Sequence, residues 1–264
     1  MLSTDEFSCT AGKLSKAREI FGDDIEFVAM EPPYALTNPT ISNGSQALAE
    51  VSQPSHNPRC WWDWSSHRKF KSPSEIAFAL AHVRSFLERN GPFDACIGFS
   101  QGAAMAVLIL ALLERPWLHP VWDAPAKEGA TWPPPPFKAA VLCSAFGPGD
   151  PEYAAWFKEE RPVVPTLHVI GRNDVVANPS HSLDTAARFT YPEIVWHDGG
   201  HHIPRKPYFS HLFKSFLLSH CSPSAAWDDV AARSRSGWGS PTESVASGSA
   251  LLPPLSPGFS SAHI

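Results

Sequence analysis

Short apolar runs and amphipathic segments alternate along the middle of the chain. After Ser72-Pro73, apolar residues recur at steps of three and four as far as Leu87, which predicts a helix with Ser72 as its cap and Pro73 in its first turn. Four compact apolar runs have the length of buried strands, and helical spacing follows them. The predicted strands are 93–99, 138–146, 165–171 and 193–197, and the later predicted helices are 102–115, 153–160, 181–189 and 208–220.

This alternation predicts an α/β fold. Strands separated by helices form a mostly parallel central sheet with helices on both faces. The chain has 264 residues, 43% of them hydrophobic, which suffices for one sizeable domain, and we assign it to residues 1–220. Of the last 44 residues, 221–264, 20 are Ser, Pro or Gly, and this composition predicts a disordered tail.

The N-terminal third and one internal segment are less regular. Residues 1–22 have weak helical spacing, and Ile25–Met30 is predicted to be a short strand closed by prolines. Residues 31–72 contain five prolines and no clear period, which favours a long surface loop. Residues 116–136 contain seven prolines and three tryptophans, which predicts either a cover over the functional site or a plain surface loop.

The charge and the cysteine content indicate which binding partners and which cellular compartment to expect. The net charge is −5 and no basic stripe is present, so we expect no binding to nucleic acid or to a membrane surface. Five cysteines without C-x-x-C spacing favour a disulfide-free protein. Met1–Lys13 has no apolar signal-peptide core, and Ala103–Leu113 is too short to span a bilayer. We therefore expect a soluble cytoplasmic protein.

The segment Gly98-Phe99-Ser100-Gln101-Gly102 has the G-x-S-x-G pattern of a nucleophile elbow, a sharp strand-to-helix turn that raises a serine hydroxyl above a sheet. A predicted strand precedes it, and a helix of small and apolar residues follows. Side chains at positions 98 and 102 would collide with the neighbouring strand or helix, which accounts for both glycines. Ser100 is therefore the candidate nucleophile.

A serine nucleophile needs a base, and the base needs an orienting acid. Asp174 follows the predicted strand 165–171 and His201 follows the strand 193–197, in the chain order Ser, Asp, His of α/β-hydrolases. In open α/β sheets, sites form at the carboxyl ends of the strands, so the three side chains are expected at one edge. The sequence thus predicts a triad of Ser100, Asp174 and His201.

The choice of base leaves two alternatives in the same loop, His202 and His197. We favour His201 because the flexible Gly199-Gly200 pair lets the backbone carry its ring back over the sheet edge. His202 would point elsewhere in an extended loop, and His197 is too near the end of the strand.

The acid has alternatives too, Asp150 and Asp198. Asp150 has the setting of a turn or cap residue, and Asp174 is favoured by its place beside the other two residues. The remaining histidines show no metal-site spacing and no glycine-rich phosphate loop is present, so we expect neither a metal nor a cofactor.

Trp61, Trp62 and Trp64 stand within four positions of the predicted loop 31–72. Their apolar area is too large to leave in water. One interpretation is a cap packed on the edge of the sheet. The other is that Trp61 and Trp62 form a wall of an acyl-binding cleft.

Three motifs make the chain similar to a known family, the fungal-type small serine hydrolases called FSH (family serine hydrolase). The motifs are 98–103, 170–176 and 197–204, and the likeness extends over roughly residues 10–220. The resemblance implies an α/β-hydrolase fold and carboxylesterase or thioesterase activity. Matched by motif, it implies Ser100 as nucleophile, Asp174 as acid and His201 as base. The N–H of Gln101, directly after the nucleophile, is the expected oxyanion donor.

The resemblance also implies a substrate class, a small-molecule acyl ester or thioester, because some members release a carrier-bound polyketide from its synthase. The family normally begins with an apolar strand and an H-G-x-G-type loop that supplies a second oxyanion N–H. Here the chain starts at what resembles the next helix, so we expect both to be missing, and losing one donor lowers the rate by about 10²–10³-fold.

The leading hypothesis is a serine esterase or thioesterase that works through an acyl-enzyme. One alternative is a catalytically weakened accessory protein that binds an acyl ligand. The other is an acyltransferase that uses the same triad.

Overall fold

A computed structural model describes residues 24–35, 59–63, 72–126 and 131–222. The strands are β1 (Tyr34–Ala35), β2 (Arg59–Cys60), β3 (Ala95–Phe99), β4 (Ala139–Cys143), β5 (Thr166–Gly171) and β6 (Pro192–His197). The helices are α1 (Pro73–Asn90), α2 (Gln101–Glu114), α3 (Pro120–Asp123), α4 (Pro151–Ala155), α5 (Pro179–Ala186) and α6 (Pro207–Cys221), with a 3₁₀ turn at Pro116–Leu118. The predicted helix at 1–22 and the predicted tail beyond residue 222 lie outside the described residues.

The strands β3 to β6 form a sheet in the order β3-β4-β5-β6, and every neighbouring pair is parallel. All five residues of β4 are buried, because helices cover both faces. Ala140 and Leu142 pack with residues of α1 and α2, whereas Val141 and Cys143 pack with α6. The predicted α/β fold with helices on both faces is confirmed.

Local sequence explains where the two helices nearest the site begin. The Ser72 hydroxyl accepts the N–H of Glu75 at 3.3 Å, and Pro73 occupies the first turn of α1 as predicted. α2 is buried at every position from Gln101 to Leu113 because it lies behind the central strands. None of the helices in the described ranges is both long and apolar enough to cross a membrane.

The prediction of a strand at Ile25–Met30 is wrong. In the described part of the chain these residues join no ladder, because no strand lies beside them to exchange backbone hydrogen bonds. Ile25 and Phe27 instead pack partly buried on the α6 side of the sheet. Within the predicted loop 31–72, β1 and β2 form a two-residue antiparallel pair.

The proline- and tryptophan-rich segment 116–126 starts at the end of α2 opposite Ser100, about 20 Å away along the helix. It packs on α1. The buried Arg84 guanidinium donates to the carbonyl oxygens of Val121, Ala124 and Pro125 at 2.6–2.9 Å, and Trp122 is fully buried. Within the predicted segment 116–136, residues 116–126 are therefore anchored on α1 and are not a plain surface loop.

Four cysteines fall within the described ranges, and all are free. Cys60, Cys96 and Cys143 are buried. Burial raises the pKa of the Cys60, Cys96 and Cys221 thiols to about 11. The thiols are therefore protonated at neutral pH and behave as small apolar groups.

A buried histidine predicts how stability changes with pH. His168 on β5 is fully buried, its Nε2 lies 3.1 Å from Thr166 Oγ1, and burial lowers its pKa to about 4 from an ordinary 6.5. Between these pH values the unfolded chain binds a proton that the folded protein does not, so stability falls as the pH drops. We expect this residue to remove about 3 kcal/mol of unfolding free energy between pH 6.5 and pH 4.

Urea unfolding at both pH values measures the effect. His168→Leu should flatten the pH dependence by about that amount, whereas substitution of the exposed His211 by Leu should leave it unchanged. Other buried histidines such as His119 contribute equally in all three proteins, so they cancel in the comparison. An unchanged slope in His168→Leu would contradict the assignment.

Candidate active site

Ser100 lies at the turn between β3 and α2 with φ 53° and ψ −123°. A positive φ is uncommon for a residue other than glycine, and this turn raises the hydroxyl at the edge of the sheet. The Ser100 N–H donates to Cys143 O at 3.0 Å, which fixes the turn to β4. At Gly98 an added Cβ would lie 2.6 Å from Ala103 Cα, so the elbow requires glycine there.

His201 joins Ser100 to Asp174. Its Nε2 lies 2.9 Å from Ser100 Oγ, and its Nδ1 lies 2.9 Å from Asp174 Oδ2. Because an ionised carboxylate only accepts hydrogen bonds, Nδ1 carries the proton and Nε2 is left to accept from the serine hydroxyl. The Phe99 ring packs beside the imidazole, with 4.8 Å between ring centroids. The structure therefore brings the three predicted residues together in a geometry that can move the Ser100 proton.

Asp174 is held rigidly and is 3% exposed. Its Oδ1 accepts the N–H groups of Val176 at 2.9 Å and Ala177 at 2.8 Å. Burial acts to raise the pKa of Asp174, but the hydrogen bond and charge of His201, with smaller contributions from the Ala177 N–H and the Ser144 hydroxyl, lower the pKa below its ordinary value. The carboxylate is therefore ionised when it faces His201 at neutral pH.

The loop that carries His201 packs directly on the end of β5. Asn173 donates from its N–H to Gly199 O at 3.1 Å and from Nδ2 to Asp198 O at 2.6 Å. An added Cβ on Gly171 would lie 2.5 Å from Gly200 O and 2.8 Å from Gly199 O. Glycine at position 171 thus sets how closely the histidine loop approaches the strand that carries Asp174.

Comparison with known proteins gives the family of this chain. The model of the family described as Serine hydrolase (FSH1) matches residues 4–212. The chain belongs to this family. It is 30% identical to the human protein named Esterase OVCA2 over 203 residues, 73% of this chain and 82% of the relative, and 30% identical to the Drosophila melanogaster protein named Esterase CG5412 over 211 residues, 78% and 67% respectively.

Solved structures agree on the fold. Arabidopsis thaliana SOBER1 superposes with a TM-score of 0.53 at 14% identity, covering 83% of this chain and 95% of that one. The esterase PE8 gives 0.52 at 16% identity, covering 83% and 89%. These structures confirm the α/β-hydrolase fold, and the family match confirms the prediction of a serine hydrolase.

The alternative bases lie elsewhere in this FSH1 family member. His202 is exposed, and its ring packs against that of His197, with 4.9 Å between centroids. His197 is buried under the loop, its Nδ1 accepts the Gly199 N–H at 3.2 Å, and burial, followed by the nearby His202, lowers its pKa. Neither is placed between the serine and the acid as His201 is.

The alternative acids are also placed differently. The Asp198 side chain is 91% exposed and lies 3.4 Å from Arg172 Nε. Asp150 precedes α4, and its carbonyl oxygen accepts the Ala154 N–H at 3.0 Å. Across the described ranges, no group of three or more His, Cys, Asp or Glu side chains is arranged to hold a metal ion.

The interpretation of Trp61 and Trp62 as walls of a cleft is wrong. Trp61 is 0% and Trp62 2% exposed, so both belong to the core. The Gln101 side chain holds this segment beside the elbow: its Oε1 accepts the Trp61 N–H at 2.9 Å, and its Nε2 donates to Trp62 O at 3.0 Å. Burying these large rings against the sheet stabilises the fold, so they do not form an open surface.

Two features of the site escape sequence reasoning. The first is the role of the Gln101 side chain, because the pattern G-x-S-x-G places no requirement on that position. Ser144 ends the apolar run of β4 with φ 48° and is 1% exposed. No neighbouring residue type signals this backbone conformation, which becomes visible only in the folded protein.

Proposed function

We propose that this FSH1 serine hydrolase cleaves a carboxylic ester or thioester through an acyl-enzyme, with Ser100 as nucleophile, His201 as general base and Asp174 as orienting acid. The observation that carries the proposal is the continuous chain of two 2.9 Å contacts, from Ser100 Oγ to His201 Nε2 and from His201 Nδ1 to Asp174 Oδ2. A serine hydroxyl is a weak nucleophile until such a base accepts its proton.

The proposed reaction has two halves, formation of the acyl-enzyme and its hydrolysis. Ser100 Oγ bonds to the substrate carbonyl carbon while His201 Nε2 takes its proton. The tetrahedral intermediate then collapses, its bond to the alcohol or thiol breaks, and the imidazolium gives its proton to that leaving group. A water molecule attacks the acyl-enzyme, again losing a proton to His201. Release of the carboxylic acid returns the proton to Ser100, and Asp174 stays ionised throughout.

The start of α2 supports an oxyanion role for the backbone N–H of Gln101. This residue is the first of a 14-residue helix, so its N–H has no acceptor within the helix and the helix dipole adds partial positive charge. The Gln101 side chain, bonded to Trp61 and Trp62, fixes the residue that carries this donor. One such donor stabilises the transition state by about 3–4 kcal/mol.

Support for an acyl substrate comes from the family. Both relatives named above carry the name esterase. A carrier-bound polyketide thioester, the acyl donor that the sequence motifs alone suggest, is one candidate substrate, and a short p-nitrophenyl ester is the simplest comparison.

A fluorophosphonate probe tests the nucleophile. We expect one probe per protein, attached to the peptide that contains Ser100, because only a serine activated by a base reacts at an appreciable rate. Ser100→Ala should remain unlabelled, and substitution of the buried Ser182 by Ala should leave labelling stoichiometric.

Turnover of p-nitrophenyl and N-acetylcysteamine acyl substrates then measures hydrolysis, and added alcohol acceptors measure acyl transfer. A folded protein that binds an acyl ligand but takes up no probe would contradict the proposal. That result would indicate an accessory acyl-binding protein instead. Products formed only with an added alcohol would identify an acyltransferase.

A further inference from the structure

Ser144 is the buried polar residue near the site that the steps above do not use. It directly follows β4, the strand between the one that leads to Ser100 and the one that leads to Asp174. Its side chain is 1% exposed, and its N–H donates to Val169 O at 2.9 Å. The residue is thus fixed between the nucleophile strand and the acid strand.

The backbone of Ser144 is in the left-handed region with φ 48°, which is unfavourable for a residue with a Cβ. Glycine would adopt the same φ without strain. Among the described residues other than glycine, only Ser100 and Ser144 have a positive φ, and they follow neighbouring strands. Backbone strain of this kind is concentrated at functional sites, so a serine in place of glycine suggests that its hydroxyl is used.

The Ser144 hydroxyl faces the Asp174 carboxylate. It makes no hydrogen bond of good geometry within the described part of the chain, and its interaction with Asp174 favours the ionised carboxylate. Catalytic hydrogen bonds are often long without substrate and tighten in the reacting complex. A buried hydroxyl left without a strong partner is thus placed beside the carboxylate that orients His201.

The turn around Ser144 is rigid enough to place this hydroxyl. Ser182, on α5, is 1% exposed and donates from its hydroxyl to Ala145 O at 2.7 Å. Phe146, the residue after Ala145, packs edge-on against Trp62, with 6.3 Å between the ring centroids. Ser144 is therefore held from α5 and from the segment that Gln101 binds.

We propose that Ser144 is a positioning residue for Asp174: its hydroxyl donates to the ionised carboxylate and so helps to hold the acid in place. The inference rests on the proposed function, because it assigns a role only if Asp174 orients His201. With this donor removed, the carboxylate directs more negative charge at His201 and holds the protonated imidazole more firmly. A larger share of the enzyme then lacks a free base at low pH.

The test compares Ser144→Ala and Ser144→Gly with wild type on one p-nitrophenyl ester. Both variants lose the hydroxyl, but only glycine relieves the strained φ. We expect little change in KM, because Ser144 acts through Asp174 and not on the substrate. The acidic limb of the kcat/KM profile should move to higher pH in both, while Ser144→Gly melts at a higher temperature than Ser144→Ala.

Ser182→Ala is the matched control, since it loosens the same turn without removing the hydroxyl that faces Asp174. It should lower the melting temperature and leave the acidic limb in place. The inference fails if Ser144→Gly has wild-type kinetics, or if Ser182→Ala reproduces the shift. A wild-type protein that takes up no fluorophosphonate would instead contradict the proposed function, so the two failures are distinguishable.

Discussion

Asp174→Asn is expected to lower kcat by about 10⁴-fold while the protein stays folded. The reason lies in the two backbone donors at Oδ1. Val176 and Ala177 hold the amide oxygen of the new side chain at that position, so its NH₂ group faces His201. Nδ1 must then accept, the proton moves to Nε2, and Nε2 no longer accepts from the Ser100 hydroxyl.

The measurement is kcat on a p-nitrophenyl ester, together with the rate of fluorophosphonate labelling, which should fall in parallel. Asp198→Asn is the matched control, because Asp198 lies on the histidine loop and its side chain is 91% exposed. It should keep kcat within about twofold, since surface charges away from a site change little. Loss of activity in Asp198→Asn with retention in Asp174→Asn would overturn the assignment of the acid.

Gly171→Ala is the second large effect we expect, with a loss of about 10²-fold in kcat/KM. The new Cβ would lie 2.5 Å from Gly200 O, and this contact is with backbone, which cannot rotate away. The loop must shift outward and carry His201 away from Ser100. A displacement of about 1 Å is enough for a loss of this size.

Gly200→Ala provides the comparison within the same loop. There the nearest atom to an added Cβ is Asn173 O at 3.3 Å, a contact that a small shift relieves. We expect activity within a few fold of wild type, measured alongside circular dichroism to show that all proteins are folded. Equal activities of the two variants would show that the approach at Gly171 does not position the histidine.

The parts of the fold that the sequence predicted are those fixed by local chemistry. α1 begins at the predicted proline because the cap and the apolar spacing lie within the helix itself. The loops after β3, β5 and β6 are a second example. Their order along the chain and their glycines were enough to place Ser100, Asp174 and His201 at one edge of the sheet. The sequence motif and the predicted order of strands each pointed to the same three residues.

The parts that were missed depend on contacts distant in sequence. Ile25–Met30 has the composition of a strand, but a strand exists only with a neighbour to bond to. Trp61 and Trp62 avoid water as expected, but their burial in the core beside the Gln101 amide depends on a contact about 40 residues away in the sequence. The positive φ of Ser144 is likewise seen only in the folded protein.

The protonated thiols described above have a consequence for chemical proteomics. With a pKa of about 11, Cys60, Cys96 and Cys221 are ionised in only about one molecule per thousand at pH 8, and the thiolate is the reactive form. Electrophiles that normally mark cysteines therefore find little to react with at these positions. A covalent inhibitor library screened against this protein should report serine chemistry with little interference from these sulfur atoms.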